Sequence, residues 1–145
     1  MILLDVNVLV AAHRTDHDHH HDVRGWLDAV LTEREPFWVP DGVCASFVRI
    51  ATHRRIFVEP TPVEAAFTFV RAIRAQPSHR SLIAGERHLS IFEQVCRASD
   101  AAGDLVPDAY LAALALEHNC EVASRDRDLY RFTGLRLRWP GTPAS

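Results

Sequence analysis

The chain of 145 residues contains no lysine; all sixteen of its basic residues are arginine. A compositional bias of the genome accounts for this. So does a preference for the planar guanidinium fork, which suits phosphate and acidic partners. The absence also argues against a receiver-like phosphate-handling protein, which needs a lysine near its last strands. Cysteine is scarce. Cys44, Cys96 and Cys120 are scattered, odd in number and form no CxxC pair, so neither a zinc site nor a disulfide framework is expected. Each is read as a small buried apolar residue. There is no apolar run of about 18 residues to span a membrane, and no charged leader followed by an apolar stretch. A cytoplasmic protein is expected. Repeats, linkers and low-complexity segments are also lacking. The formal net charge is -3, which argues against nucleic-acid binding through overall charge alone. It does not exclude a nuclease, because acids gathered around a metal make the sum misleading.

What is present is enough for one domain with a real core: 48% of the residues are hydrophobic. Short apolar runs at 2–4, 37–39 and 121–123, and an alternating run at 135–139, read as strands. A further short strand is expected at Ser81-Leu82-Ile83. Helical spacing marks 6–13, 19–33, 42–53, 63–76, 87–101 and 109–118, with a helical turn at 128–132. Asp41 is placed to cap the helix from Gly42. Thr61-Pro62-Val63-Glu64 has the form of a capping box. Strands alternating with helices predict an α/β fold, a central parallel sheet flanked by helices. The domain is expected over residues 1–140, with 141–145 a loose tail. The one biased stretch, Asp16 to Asp22, holds His17, His19, His20 and His21. It reads as a solvated loop and helix start rather than a zinc site.

Three acids follow apolar runs: Asp5 after Ile2-Leu3-Leu4, Asp108 after Leu105-Val106-Pro107, and Asp126 after the run through Val122 and Ala123. Strand C-termini line the ligand crevice of a parallel sheet. Carboxylates gathered there repel one another unless a cation neutralises them, and hard divalent cations prefer oxygen ligands. The pattern points to a metal-dependent site, for which phosphodiester hydrolysis is the usual chemistry. Asp108 and Asp126 also have a plain role as caps of the turns they open.

Four segments carry a resemblance: Asp5-Val6-Asn7-Val8-Leu9, Phe47 to His53, Asp108-Ala109-Tyr110-Leu111-Ala112-Ala113-Leu114-Ala115, and Ser124-Arg125-Asp126-Arg127-Asp128-Leu129. In order and spacing this set resembles the PIN-domain ribonucleases, specifically the VapC toxins of type II toxin–antitoxin systems. The resemblance covers nearly the whole chain. It implies a single PIN-like α/β domain and an endoribonuclease that uses Mg²⁺, or Mn²⁺, to activate the attacking water, with no side chain as nucleophile. It assigns Asp5, Asp108 and Asp126 as metal-binding and catalytic acids. Many PIN domains carry a Glu inside the helix after the second strand. Here Ala45 and Ser46 stand there, and the nearest acid, Asp41, is assigned the second-acid role beside its role as a cap. Asn7 and Ser124 are placed as donors that orient the carboxylates or a substrate phosphate. Asn7 could equally cap its own helix. Arg49 contacts RNA phosphate, pairs with an acid of the site, or forms a surface salt bridge. Arg14, Arg54, Arg55, Arg125 and Arg127 are further phosphate contacts, and Asp128 is read as a solvated turn residue. The resemblance implies an RNA substrate (tRNA or rRNA) and a cognate VapB-type antitoxin, and a homodimer is expected as well. The helices at 47–52 and 63–73 are the expected walls of the antitoxin groove. The missing helix acid leaves open a second class of function, a catalytically weak module that acts by binding RNA or antitoxin.

Overall fold

The computed structural model describes residues 1–142. Four strands form one parallel sheet: β1 (Ile2–Leu4), β2 (Phe37–Trp38), β3 (Glu121–Ala123) and β4 (Arg136–Arg138), in the order β2-β1-β3-β4. Ile2, Leu3 and Leu4 have no exposed surface, as expected of a strand covered on both faces. The helices are α1 (Val6–His13), α2 (His20–Thr32), α3 (Asp41–Ala51), α4 (Val63–Arg74), α5 (His88–Ser99) and α6 (Val106–Glu117). The chain leaves β1 toward β2 on one side and β3 toward β4 on the other. The two central strands therefore flank a topological switch point, and their C-termini open on a crevice.

Helix α6 explains how that crevice is backed. Ala109, Leu111, Ala112, Ala113, Leu114 and Ala115 are all buried, and a helix that is apolar all round belongs in the interior. Its alanines let the backbone lie close to the sheet. Helix α3 is fixed by Phe47, which has no exposed surface. Its ring meets His13 of α1 edge-on at 5.4 Å and Phe69 of α4 at 5.2 Å. At the sheet's other edge, Arg138 bonds Glu121 at 3.0 and 3.2 Å and Glu35 at 2.7 Å, joining β4 to β3 and to the loop before β2.

Several expectations are corrected. Residues 81–83 form no strand; just before them the chain touches the sheet through an isolated bridge between Phe37 and His79. Leu105-Val106-Pro107 is not the end of a strand either. A 3₁₀ turn at Gly103–Leu105 runs straight into α6, and Asp108 lies in that helix's first turn. The capping box at Thr61 does not form, and Pro62 precedes α4 without a side-chain cap. The Thr61 hydroxyl is buried and is held by Arg14 at 3.1 Å and His13 at 3.0 Å, so it is spent joining α1 to the loop before α4. Pro40, not Asp41, occupies the cap position of α3. Cys120 is buried, but Cys44 and Cys96 are only half-buried. The histidine-rich stretch is a loop and helix start, as expected: His17 and His19 lie in the turns before α2, which begins at His20. Of the tail, Thr142 is anchored to Asp22 by bonds of 2.7 and 2.9 Å; residues 143–145 lie outside the described residues. No helix is long and apolar enough to cross a membrane.

Candidate active site

Asp5 ends β1 and caps α1, accepting from the Val6 amide at 2.7 Å through Oδ1. Its other oxygen accepts from Ser124 Oγ at 2.7 Å and Asn7 Nδ2 at 3.1 Å. The Asp5 amide bonds the carbonyl of Ala123 at 3.0 Å, which sets the ends of β1 and β3 side by side. Ser124 is buried, and its hydroxyl also accepts from Asn7 Nδ2 at 2.8 Å and from the Asp126 amide at 3.0 Å. Asn7 in turn accepts from the Arg125 amide at 3.0 Å. One network thus fixes Asp5, the loop after β3 and the start of the Asp126 turn. Asn7 caps nothing; Asp5 does that work, leaving the Asn7 amide free to bridge.

Asp126 opens a 3₁₀ turn at Arg127–Arg131 and accepts from the Asp128 amide at 2.9 Å. This local Asx geometry brings the two carboxylates together. Asp108 reaches them from α6. Carboxylate oxygens of Asp108, Asp126 and Asp128 all lie within 4.8 Å of one another. Asp5 stands beside this trio and within its field. Burial, followed by the charges of Asp126, Asp5 and Asp128, pushes the Asp108 carboxyl up to about 6. Burial also raises Asp5, against the opposing pull of its bond from Ser124. Arg131 lies 3.9 Å from Asp128 and is the cation that offsets the charge at Asp108.

Clustered acids are costly when unneutralised, and that repulsion adds to burial in raising the Asp108 carboxyl. The donor set is entirely carboxylate oxygen, which fits a hard divalent cation. Asp108, Asp126 and Asp128 are placed to hold it, with Asp5 facing them.

Asp5 and Asp108 also form the floor of an apolar cleft of about 420 Å³, walled by Val43 and Ser46 of α3, Phe92 of α5, and Tyr110 of α6. Ser46 confirms that α3 offers no acid to the cleft. Asp41 does not line it: the carboxylate is 88% exposed and bonds Arg74 of α4 at 2.7 Å. Arg49 is exposed, and its guanidinium has no hydrogen bond or ion pair among the described residues; it does not meet the acids. Helix α4 contributes nothing to the cleft walls. Asp128 is the solvated turn residue read from the sequence, with its side chain 59% exposed, and one of its oxygens also joins the cluster. Its signal was the Asp-x-Asp spacing directly after a buried strand.

Removing the shared hydroxyl in Ser124→Ala is expected to raise the Asp5 carboxyl further and weaken Mn²⁺ binding by about 10–100-fold, as loss of an orienting partner does elsewhere. A calorimetric Mn²⁺ titration reads this; unchanged affinity would show that the network does not support the site.

The PIN-domain family model matches residues 2–135. The chain is 52% identical over 136 residues to ribonuclease VapC25 of Mycobacterium tuberculosis, covering 94% of this chain and 96% of that protein. Among solved structures, it superposes on Mycobacterium tuberculosis VapC20, a sarcin-ricin loop cleaving toxin, with a TM-score of 0.64 at 16% identity, covering 94% and 99% of the two chains. It also superposes on a chain of a toxin–antitoxin complex from Klebsiella pneumoniae with a TM-score of 0.62 at 14% identity, covering 97% and 98%. The chain belongs to the PIN-domain family, among the VapC ribonucleases.

Proposed function

We propose that the protein is the toxin of a type II toxin–antitoxin pair, a divalent-cation-dependent endoribonuclease acting in the cytoplasm on tRNA or rRNA. The observation that carries this reading is the carboxylate trio within 4.8 Å, with Asp5 held beside it by Ser124 and Asn7. A bound Mg²⁺ or Mn²⁺ would lower the pKa of water and offset the charge that builds on the scissile phosphate. Asp108, Asp126 and Asp128 would hold the cation, and Asp5, fixed by three hydrogen bonds, would complete a set of four acids. Asp128 adds a carboxylate to the cluster where Ser46 of α3 offers none, which favours the catalytic reading over a non-catalytic binding module. Asn7 and Ser124 keep Asp5 and the Asp126 turn in one geometry, so little reorganisation is needed during the reaction.

Asp108 must be ionised to bind the cation. Its carboxyl sits at about 6, so cation affinity is expected to be full above pH 7 and to fall as pH drops through that value. A Mn²⁺ titration at pH 7.5 and pH 5 checks this; equal affinity at both would contradict it.

Two partners are proposed beside RNA. The apolar cleft ending at Asp5 and Asp108 fits an antitoxin segment with apolar side chains and an arginine that reaches the acids. Val63 and Phe67 are left exposed along α4, a surface available to a second copy of the chain. The direct test is incubation of the antitoxin-free protein with total tRNA and rRNA, with Mg²⁺, Mn²⁺ or EDTA. Discrete cuts that require the metal support the reading. Intact RNA with well-folded protein under every condition would overturn it.

A further inference from the structure

Beside the acid cluster lies a second cleft, of about 450 Å³, lined by Asn7, His17, His19, Arg125, Arg127 and Trp139. No acid lines it. We propose that this cleft binds a backbone phosphate of the RNA strand, one step along the chain from the scissile bond; the proposal rests on the ribonuclease reading of the acid site. Asn7 belongs to both places: it lines this cleft, and it bonds Asp5 and Ser124 in the other. The loop Arg125–Arg127 flanks Asp126. The shared Asn7 sets the cleft beside the acids, within reach of a strand that has one phosphate there.

The cleft is built rather than incidental. Arg125 is only 15% exposed, and its guanidinium donates to the Pro140 carbonyl at 2.7 Å, lies 3.7 Å from Asp22, and sits over the Trp139 ring at 4.9 Å. Trp139 is held in turn by its indole N–H on the Thr142 carbonyl at 3.0 Å, and Thr142 is anchored to Asp22. Arg125 is thus spent on fixing the wall. Arg127, also over the Trp139 ring at 5.8 Å, has no hydrogen bond or ion pair among the described residues. A charged guanidinium resting on an indole face and left without an acid partner is suited to an incoming anion. His17 adds a donor: its Nδ1 accepts from the His19 amide at 3.0 Å, so the proton of the neutral ring is on Nε2. Asp16, the nearest acid on the loop before His17, is engaged by Arg14 at 2.6 Å. Asp18 is the remaining neighbouring acid, and it is exposed. The histidine-rich stretch thus acquires a role as one lip of the cleft.

The test is binding of an uncleavable single-stranded RNA oligonucleotide with 2′-O-methyl riboses, in Ca²⁺, across a range of salt. Arg127→Gln is expected to weaken binding roughly tenfold and to flatten the slope of log K against log salt by about 0.7, one phosphate contact. Arg97→Gln on α5, paired with Glu93, should leave both unchanged. Trp139→Leu should weaken RNA binding while leaving Mn²⁺ affinity intact, which separates loss of the cleft from loss of the fold. Wild-type affinity and slope in Arg127→Gln would overturn the proposal. If that variant binds normally while the wild-type protein cuts RNA, the cleft fails and the ribonuclease reading stands. If the wild-type protein neither binds nor cuts RNA, both fail. Binding that depends on Arg127 without any cleavage would support the cleft alone.

Discussion

Asp108→Asn is expected to lower RNA cleavage by roughly three orders of magnitude while making the metal-free protein more stable. The two effects have one origin. Asp108 is pushed up to about 6 by burial and by Asp126, Asp5 and Asp128. The native state therefore holds its proton more tightly than the unfolded chain, where the carboxyl titrates near 3.8. Between these values the folded protein binds more protons, so stability contributed by this group is present at low pH and is lost as pH rises through about 6. At pH 7.5 the ionised Asp108 destabilises the metal-free fold, and the neutral amide removes that repulsion. Asp108 is partly exposed, so solvent screening keeps the gain modest: about 3 °C in thermal midpoint for a chain of this size. With Mn²⁺ present the order reverses. A cation at a hundred times its Kd adds about 2.7 kcal/mol to the wild-type protein, and the variant, lacking a central ligand, gains little. Melting curves at pH 7.5 with EDTA and with Mn²⁺, beside a cleavage assay, read all three effects. A variant that is destabilised without metal and still cuts would contradict this assignment.

The second large effect concerns the scaffold. Phe47→Ala is expected to cost about 3–5 kcal/mol, a large share of the 5–15 kcal/mol typical of such domains. Phe47 is fully buried, and its ring is the point where α1, α3 and α4 meet, through His13 and Phe69. Because α3 also supplies Val43 and Ser46 to the cleft, the loss reaches the site. Urea denaturation measures it as a lower midpoint at unchanged slope. A loss below about 1 kcal/mol would mean that the three helices are held together elsewhere.

The architecture was legible where local pattern and tertiary environment agree. Ile2-Leu3-Leu4 and the run through Val122 are continuous apolar segments, and both are buried central strands. Asp5 directly follows such a strand and Asp126 comes three residues after one, so both lie at the strand ends that open on the crevice. Leu105-Val106-Pro107 has the same look and is helical instead, because a short apolar run does not distinguish a strand from a buried helix start. The acid it leads to was still identified, since a first-turn carboxylate and a strand-end carboxylate can face the same crevice. Asp41 was not legible. Its direction is decided by Arg74, thirty-three residues away in sequence, and no local pattern carries that. Asp128 depends on the turn that Asp126 nucleates, in which the Asp128 amide donates to Asp126 and brings the third carboxylate of the trio near the other two. Thr61 shows the reverse case, a strong local capping signal overridden by tertiary partners, His13 and Arg14.

The most direct measurement is an electron-paramagnetic-resonance titration of Mn²⁺ into the antitoxin-free protein at pH 7.5, beside Asp108→Asn, Asp126→Asn, Asp128→Asn and Asp41→Asn. The expected result is saturable binding that is lost or strongly weakened in the first three variants and unchanged in Asp41→Asn. Equal binding in wild type and Asp108→Asn, or loss confined to Asp41→Asn, would contradict a metal-dependent site at these acids.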